Sequence, residues 1–294
     1  MAPVRPLVLA LCAAAWACPQ NFTDLKIDKV AGGHLFTEGP VWSPDGMLLF
    51  SDTRANRIHQ WVPGKGTSLY AEKPQGANGN AFDREGRLYT CEFRERRVTR
   101  TSKDGKVEVL VEKWEGKRLN APNDITVRRD GHVYFTDPAF GSDADRRELD
   151  FYGVFHISPR GELDLVAKSQ TRPNGITLSP NGRLLYVTDS DARTVRVYDL
   201  DRNGMASKER TLISNIEGVP DGIRTDEKGN LYVAARALFV YTPDGKPLGS
   251  VDLPEAPSNC AFGEGDWGAL FITARTSVYR VRLGVKGALP YLTQ

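Results

Sequence analysis

The sequence predicts an all-β fold, a six-bladed β-propeller carrying a metal site at one mouth of its central channel. Three observations predict it: one segment recurs six times at propeller spacing, apolar residues alternate with period 2 without comparable helical periodicity, and a polar residue heads every repeat.

The repeats are EGPVWSPDGMLLFSD from Glu38, NGNAFDREGRLYTCE from Asn78, NDITVRRDGHVYFTD from Asn123, NGITLSPNGRLLYVTD from Asn174, DGIRTDEKGNLYVAA from Asp221 and NCAFGEGDWGALFITA from Asn259. Their starts lie 40, 45, 51, 47 and 38 residues apart, which suits four short strands per unit. Each reads as a hairpin. An alternating strand meets a turn such as Pro44-Asp45-Gly46, Arg129-Asp130-Gly131 or Pro180-Asn181-Gly182, whose residues tolerate positive φ, and a strand rich in Leu, Tyr, Val and Phe runs back. Period-2 stretches such as 56–61 and 194–198 supply outer strands. A sandwich also alternates in this way, but its strands are not copies of one unit.

With 294 residues and 40% hydrophobic content, residues 19–294 can form one closed β-domain. A formal charge of +2 offers no long-range field for nucleic acid or an anionic membrane, so partners must come from a local site. Residues 1–18, with Arg5 before a short apolar stretch ending in small residues, read as a signal peptide. The stretch is too short to span a bilayer, so the expectation is an exported chain, periplasmic or secreted, cleaved after Ala17 or Cys18. A lipid anchor on Cys18 is disfavoured by Trp16. The mature chain then keeps Cys91 and Cys260, each expected as a small buried hydrophobe. Arg94, Arg96, Arg97 and Arg100 read as a solvated strand face.

In a propeller the innermost strands line the channel, so Glu38, Asn78, Asn123, Asn174, Asp221 and Asn259 should form a ring at one end of it. Asn and Asp are poor strand formers and lose hydration when buried, so a convergence of such side chains calls for a cation. Two carboxylates and four amides make an all-oxygen set that suits one divalent ion, calcium first, with magnesium, manganese or zinc as alternatives. The four histidines, His34, His59, His132 and His156, lie outside the ring and show no ligand-pair spacing. A second set of acids, Asp52, Glu92, Asp137 and Asp189, closes the returning strands at the same end. Asp52 and Asp189 read as strand-end turn residues, whereas Asp137, followed by Pro138 and a polar loop, is the better candidate for the pocket.

The stretches Thr37-Glu38-Gly39-Pro40-Val41-Trp42, Arg118-Leu119-Asn120-Ala121-Pro122-Asn123-Asp124, Arg172-Pro173-Asn174-Gly175-Ile176 and Val219-Pro220-Asp221-Gly222-Ile223 resemble, in order and spacing, the family of senescence marker protein, gluconolactonase and luciferin-regenerating enzyme. The resemblance implies a six-bladed propeller whose metal is held by Glu38, Asn123, Asn174 and Asp221. Asn78 and Asn259 become second-choice ligands or substrate contacts. The resemblance also implies hydrolysis of sugar lactones, with Arg118 gripping a substrate hydroxyl or carboxylate; Asn120, in the same stretch, and Asp137 of the outer acids are further expected substrate contacts.

A lactone is a cyclic ester, so its hydrolysis needs a polarised carbonyl, an attacking water and a base. A metal supplies the first, and Asp221 is the expected general base. No G-x-S-x-G elbow is present, and no Ser or Cys stands at a ring position beside a His, which leaves a nucleophilic hydrolase unsupported. Two alternatives keep the fold: a binding protein with a structural calcium, for which bulky apolar residues should cover the mouth, and a hydrolase of organophosphates or other esters.

Overall fold

The structure, a computed structural model, describes residue 22 and residues 24–169, 171–289 and 291–292. The expected signal peptide therefore lies outside the described residues.

Six four-stranded antiparallel sheets are arranged as the blades of a propeller. Blade one comprises Thr37–Trp42, Leu48–Asp52, Arg57–Val62 and Gly66–Glu72, and blade two Ala77–Phe82, Leu88–Glu92, Arg97–Thr101 and Val107–Val111. Blade three has Ile125–Val127, Val133–Asp137, Tyr152–Ile157 and Leu163–Ser169, and blade four Pro173–Leu178, Leu184–Asp189, Thr194–Leu200 and Ala206–Ile213. Ile223–Thr225, Leu231–Ala234, Leu238–Tyr241 and Pro247–Val251 form blade five. Blade six takes Pro257–Gly263, Ala269–Ala274 and Ser277–Arg282 from the end of the chain and its outermost strand, Asp28–Ala31, from the beginning. Pairing of Asp28–Ala31 with Ser277–Arg282 closes the circle and leaves no long unpaired edge between first and last blades.

The six repeats of the sequence are the two inner strands of the six blades, so the innermost strands contact one another in a ring around the channel. In five of these hairpins a glycine amide donates to the carbonyl three residues earlier, as Gly46 does to Ser43 and Gly131 to Arg128. Gly46 and Gly131 hold φ of 81° and 90°, where a Cβ would be strained. Blade six departs from the pattern and sets Trp267 there instead, at φ 57°.

The apolar faces pack between blades. Tyr134, Ile176, Leu178 and Val187 join blades three and four, and Trp42, Phe50, Phe271 and Val278 join blades one and six, with Trp42 and Phe271 stacked at 5.4 Å. Cys91 and Cys260 are free and fully buried, as expected of small hydrophobes. At the far end of the channel a cavity of about 80 Å³ lies between Trp42, Phe82, Phe262 and Trp267 and the C-terminal residues Leu289 and Tyr291. Among the described residues the one helical segment is the 3-10 turn Gly141–Arg146.

Candidate active site

The ring residues mark the point where each inner strand breaks its ladder. In blades one, two, four and six the inner pairing shifts register at Glu38, Asn78, Asn174 and Asn259. In blades three and five regular pairing begins only at Ile125 and Ile223, two residues past Asn123 and Asp221. Irregular backbone of this kind re-aims a side chain that a flat strand would point elsewhere.

Four ring residues are followed by glycine because the inner strands converge there. A Cβ on Gly39 would stand 1.8 Å from the Asn78 carbonyl oxygen, and one on Gly222 2.1 Å from Asn259 Cγ. Close approach lets blades hydrogen-bond directly: Gly79 N donates to Asn123 O at 2.8 Å and Gly175 N to Asp221 O at 3.1 Å. Hydroxyls from second strands reach ring-residue carbonyls of the next blade. Ser51 donates to Asn78 O at 2.8 Å, Thr136 to Asn174 O at 2.5 Å and Thr188 to Asp221 O at 2.6 Å. The ring is thus fixed by its neighbours as well as by its own strands.

Above it opens a cavity of about 300 Å³ lined by Glu38, Asn78, Asn123, Asn174 and Asp221, and rimmed by Phe36, Phe93, Phe140, Arg54 and Asp143. Asn259 stands just outside this lining and donates through Nδ2 to Glu38 Oε2 at 3.3 Å, while its Oδ1 accepts from Cys260 N. Asn174 Nδ2 donates to Ser190 Oγ at 3.0 Å, and Ser190 in turn donates to Pro220 O at 2.8 Å. That relay sets the orientation of the Asn174 amide and leaves Asn174 Oδ1 buried without a partner, as is Asn78 Oδ1.

The two carboxylates are buried beside the amides, and Glu38 Oε2 accepts the Gly39 amide at 2.8 Å as well as Asn259. Burial pushes Glu38 up to about 7, with the charge of Asp124 adding and the Gly39 and Asn259 hydrogen bonds opposing. Burial likewise raises Asp221 well above the usual carboxylate range, and the neighbouring charges of Glu38 and Asp124 raise it further. Two buried acids whose charged forms burial disfavours and two orphaned carbonyl oxygens form a hard, all-oxygen donor set, which a divalent cation fits by stabilising the carboxylates and coordinating the free oxygens.

Beneath the ring lies an ion pair that the sequence reading missed. Asp124 is 1% exposed and receives Arg224 Nη1 at 3.0 Å, Ile125 N at 3.0 Å and Ile176 N at 3.2 Å. A signal for it existed: Asp124 occupies the position that is glycine in four of the other repeats. The aromatic rim, Phe36, Phe93 and Phe140, belongs to connecting segments outside the repeat and had no such signal.

Arg118, Asn120 and Asp137 stand outside the cavity lining. Arg118 Nη2 donates to Glu95 O, and its backbone N donates to Glu148 Oε2 at 2.9 Å. Asn120 donates from its backbone to Asp137 Oδ2 at 2.7 Å and from Nδ2 to Asp137 O and Phe151 O. Asp137 is fully buried and pushed up to about 7 by that burial. Its role matches that of Asp52, which accepts the Leu35 and Phe36 amides at 2.9 and 3.1 Å: each acid ties down the segment entering its own blade.

Two expectations need correction. Arg96 is no part of a solvated face; it is 8% exposed and donates to Leu119 O at 2.5 Å, anchoring the segment before blade three. The histidines do pair, because the third strands of blades one and three bring His59 and His156 beside His34 and His132, which lie in connecting segments of the same blades. His132 Nδ1 lies 2.6 Å from His156 Nε2, and the rings of His34 and His59 are 4.6 Å apart beside Asp52.

Comparison with known proteins follows the same lines. Residues 36–276 match the family model described as the SMP-30/Gluconolactonase/LRE-like region. The chain is 36% identical to the gluconolactonase of Zymomonas mobilis, with 87% of this chain and 81% of that one covered. It is 27% identical to the pentonolactonase XacC of Haloferax volcanii, covering 80% of each. A solved gluconolactonase from Xanthomonas campestris superposes with a TM-score of 0.83 at 31% identity, over 90% of this chain and 91% of that one.

Proposed function

Because the chain belongs to the SMP-30/gluconolactonase/LRE-like family, we propose that it is a gluconolactonase-like enzyme that opens small lactones by addition of water at the mouth lined by Glu38, Asn123, Asn174 and Asp221. The observation that carries this reading is the donor set itself: two buried acids and the orphaned Asn174 Oδ1 converge on one cavity of about 300 Å³.

Glu38, Asn123, Asn174 and Asp221 would hold a divalent cation, calcium first by donor chemistry, with Asn78 as a further oxygen beside them. Bound there, it would supply Lewis-acid polarisation of the lactone carbonyl and stabilisation of the developing oxyanion, worth several kcal/mol in comparable sites.

The chain's own residues do the remainder. Ionised Asp221 accepts a proton from the attacking water as its oxygen bonds to the carbonyl carbon. The same carboxyl returns that proton to the ring oxygen as the acyl C–O bond breaks, and a hydroxy acid leaves. The Thr188 hydroxyl on Asp221 O keeps this residue in place through the cycle. Phe36, Phe93 and Phe140 add an apolar surface to the cavity against which the carbon skeleton of a small lactone can pack.

Hydrolysis of glucono-1,5-lactone by metal-stripped protein, resupplied in turn with Ca²⁺, Mg²⁺, Mn²⁺ and Zn²⁺, tests the reading. Activity restored by metal, lost in Asp221→Asn while some metal binding survives, supports it. Full activity in Asp221→Asn would remove the base role, and tight metal binding without turnover of any lactone would point to a structural calcium.

A further inference from the structure

We propose a second, imidazole-containing metal site behind the rim of the mouth, formed by His34, Asp52 and His59 and suited to a borderline divalent ion such as Zn²⁺ or Cu²⁺.

These three side chains each offer a ligand atom, and all lie within 4.8 Å of one another. Tetrahedral zinc, with bonds of about 2.0–2.1 Å, spaces its ligands about 3.3 Å apart, so side-chain rotations of the order of an ångström would close the site. His34 comes from the segment before blade one, Asp52 from the end of its second strand and His59 from its third strand, facing Phe50. Fold topology alone unites them.

The surroundings suit a ligand set better than a packing cluster. His34 Nε2 is buried and has no hydrogen-bond partner, which is costly for an imidazole unless something binds it. Asp52 Oδ1 accepts from Phe36 N at 3.1 Å and Ala55 N at 3.3 Å, and Oδ2 from Leu35 N at 2.9 Å, an arrangement that orients the carboxylate and leaves Oδ2 a lone pair. Phe50 closes one side, edge-on to His34 at 5.0 Å and stacked with His59 at 5.6 Å. Burial lowers the pKa of both imidazoles, which favours the neutral form that binds metal.

Two nitrogens and one oxygen differ chemically from the all-oxygen mouth, and imidazole favours zinc and copper over calcium. A metal here would fasten the segment carrying Phe36, which lines the catalytic cavity, to blade one. The proposal does not depend on the lactonase reading.

The test uses Cu²⁺ as probe, with the full chain carrying Glu38→Ala to silence the mouth. One equivalent should give an electron paramagnetic resonance signal with nitrogen superhyperfine structure, displaced by Zn²⁺ but not by excess Ca²⁺. His34→Gln and His59→Leu, each checked for folding by circular dichroism, should each weaken binding by roughly 10- to 100-fold or more. Absence of a nitrogen-coordinated signal at one equivalent overturns the proposal. So does its displacement by Ca²⁺, or its survival in both variants, which would place the copper at His132 and His156.

Discussion

The side-chain amide of Asn174 donates to Ser190 Oγ across 3.0 Å, and this one bond decides which end of the amide faces the cavity. The hydroxyl is itself held by Pro220 O, so Asn174 presents its oxygen to the site rather than its nitrogen. Ser190→Ala frees the amide to turn. If the mouth holds calcium as proposed, its affinity measured by titration calorimetry should fall about 10- to 100-fold, the usual cost of removing an outer partner of a metal ligand. Unchanged affinity would mean that Asn174 needs no such restraint.

Gly39 gives a steric prediction. It holds φ 50°, and a Cβ would collide with the Asn78 carbonyl oxygen of the next blade at 1.8 Å. Since that obstacle is backbone, it cannot swing aside as a side chain tip would. Gly39→Ala should destabilise the protein by about 1–3 kcal/mol or more, read from urea unfolding.

Asp124 and Arg224 form an ion pair in which Asp124 is fully buried and the Arg224 side chain is 17% exposed, joined by contacts at 3.0 and 3.3 Å. Removing one partner strands the other charge. Arg224→Met should therefore cost about 3–5 kcal/mol, and adding Asp124→Asn should recover part of that loss, so that the double variant is more stable than the sum of the singles. Strict additivity would show that the two residues do not act as a pair.

Asp137 predicts a pH dependence. Burial raises it from 3.8 to about 7, so the folded state binds its proton more tightly than the unfolded chain does. Its contribution to stability is fully present below about 3.8 and is lost as pH rises through about 7. Asp137→Asn has no proton to lose. The stability difference, wild type minus variant, should fall between pH 4 and 7 and level off above about 8, shifting the unfolding midpoint by a few degrees across that window. A difference that does not change with pH would mean that Asp137 is ionised throughout.

What the sequence by itself determined was local or repeated. Hairpins, turns and a polar residue at the head of each unit recur every 38–51 residues, and six copies of one unit leave a closed radial array as the consistent solution. Glu38, Asn78, Asn123, Asn174 and Asp221 reach one cavity because equivalent positions in equivalent blades must meet at the axis. Only the tertiary structure decided where hydrogen-bonding capacity was left over. The buried acids Asp52 and Asp137 look alike in sequence to residues that could face the mouth, yet backbone amides from segments 16 or 17 residues earlier bond both Asp52 oxygens and Asp137 Oδ2, while Asp137 Oδ1 is left buried without a partner. Asp28–Ala31 completes the last blade, Asp124 meets Arg224 from 100 positions away, and His34 finds His59 beside Asp52. Strand periodicity arises from covalent alternation along one chain segment and can be read there. Pairing across blades depends on closure of the ring, which brings distant segments together without leaving a local signal in either.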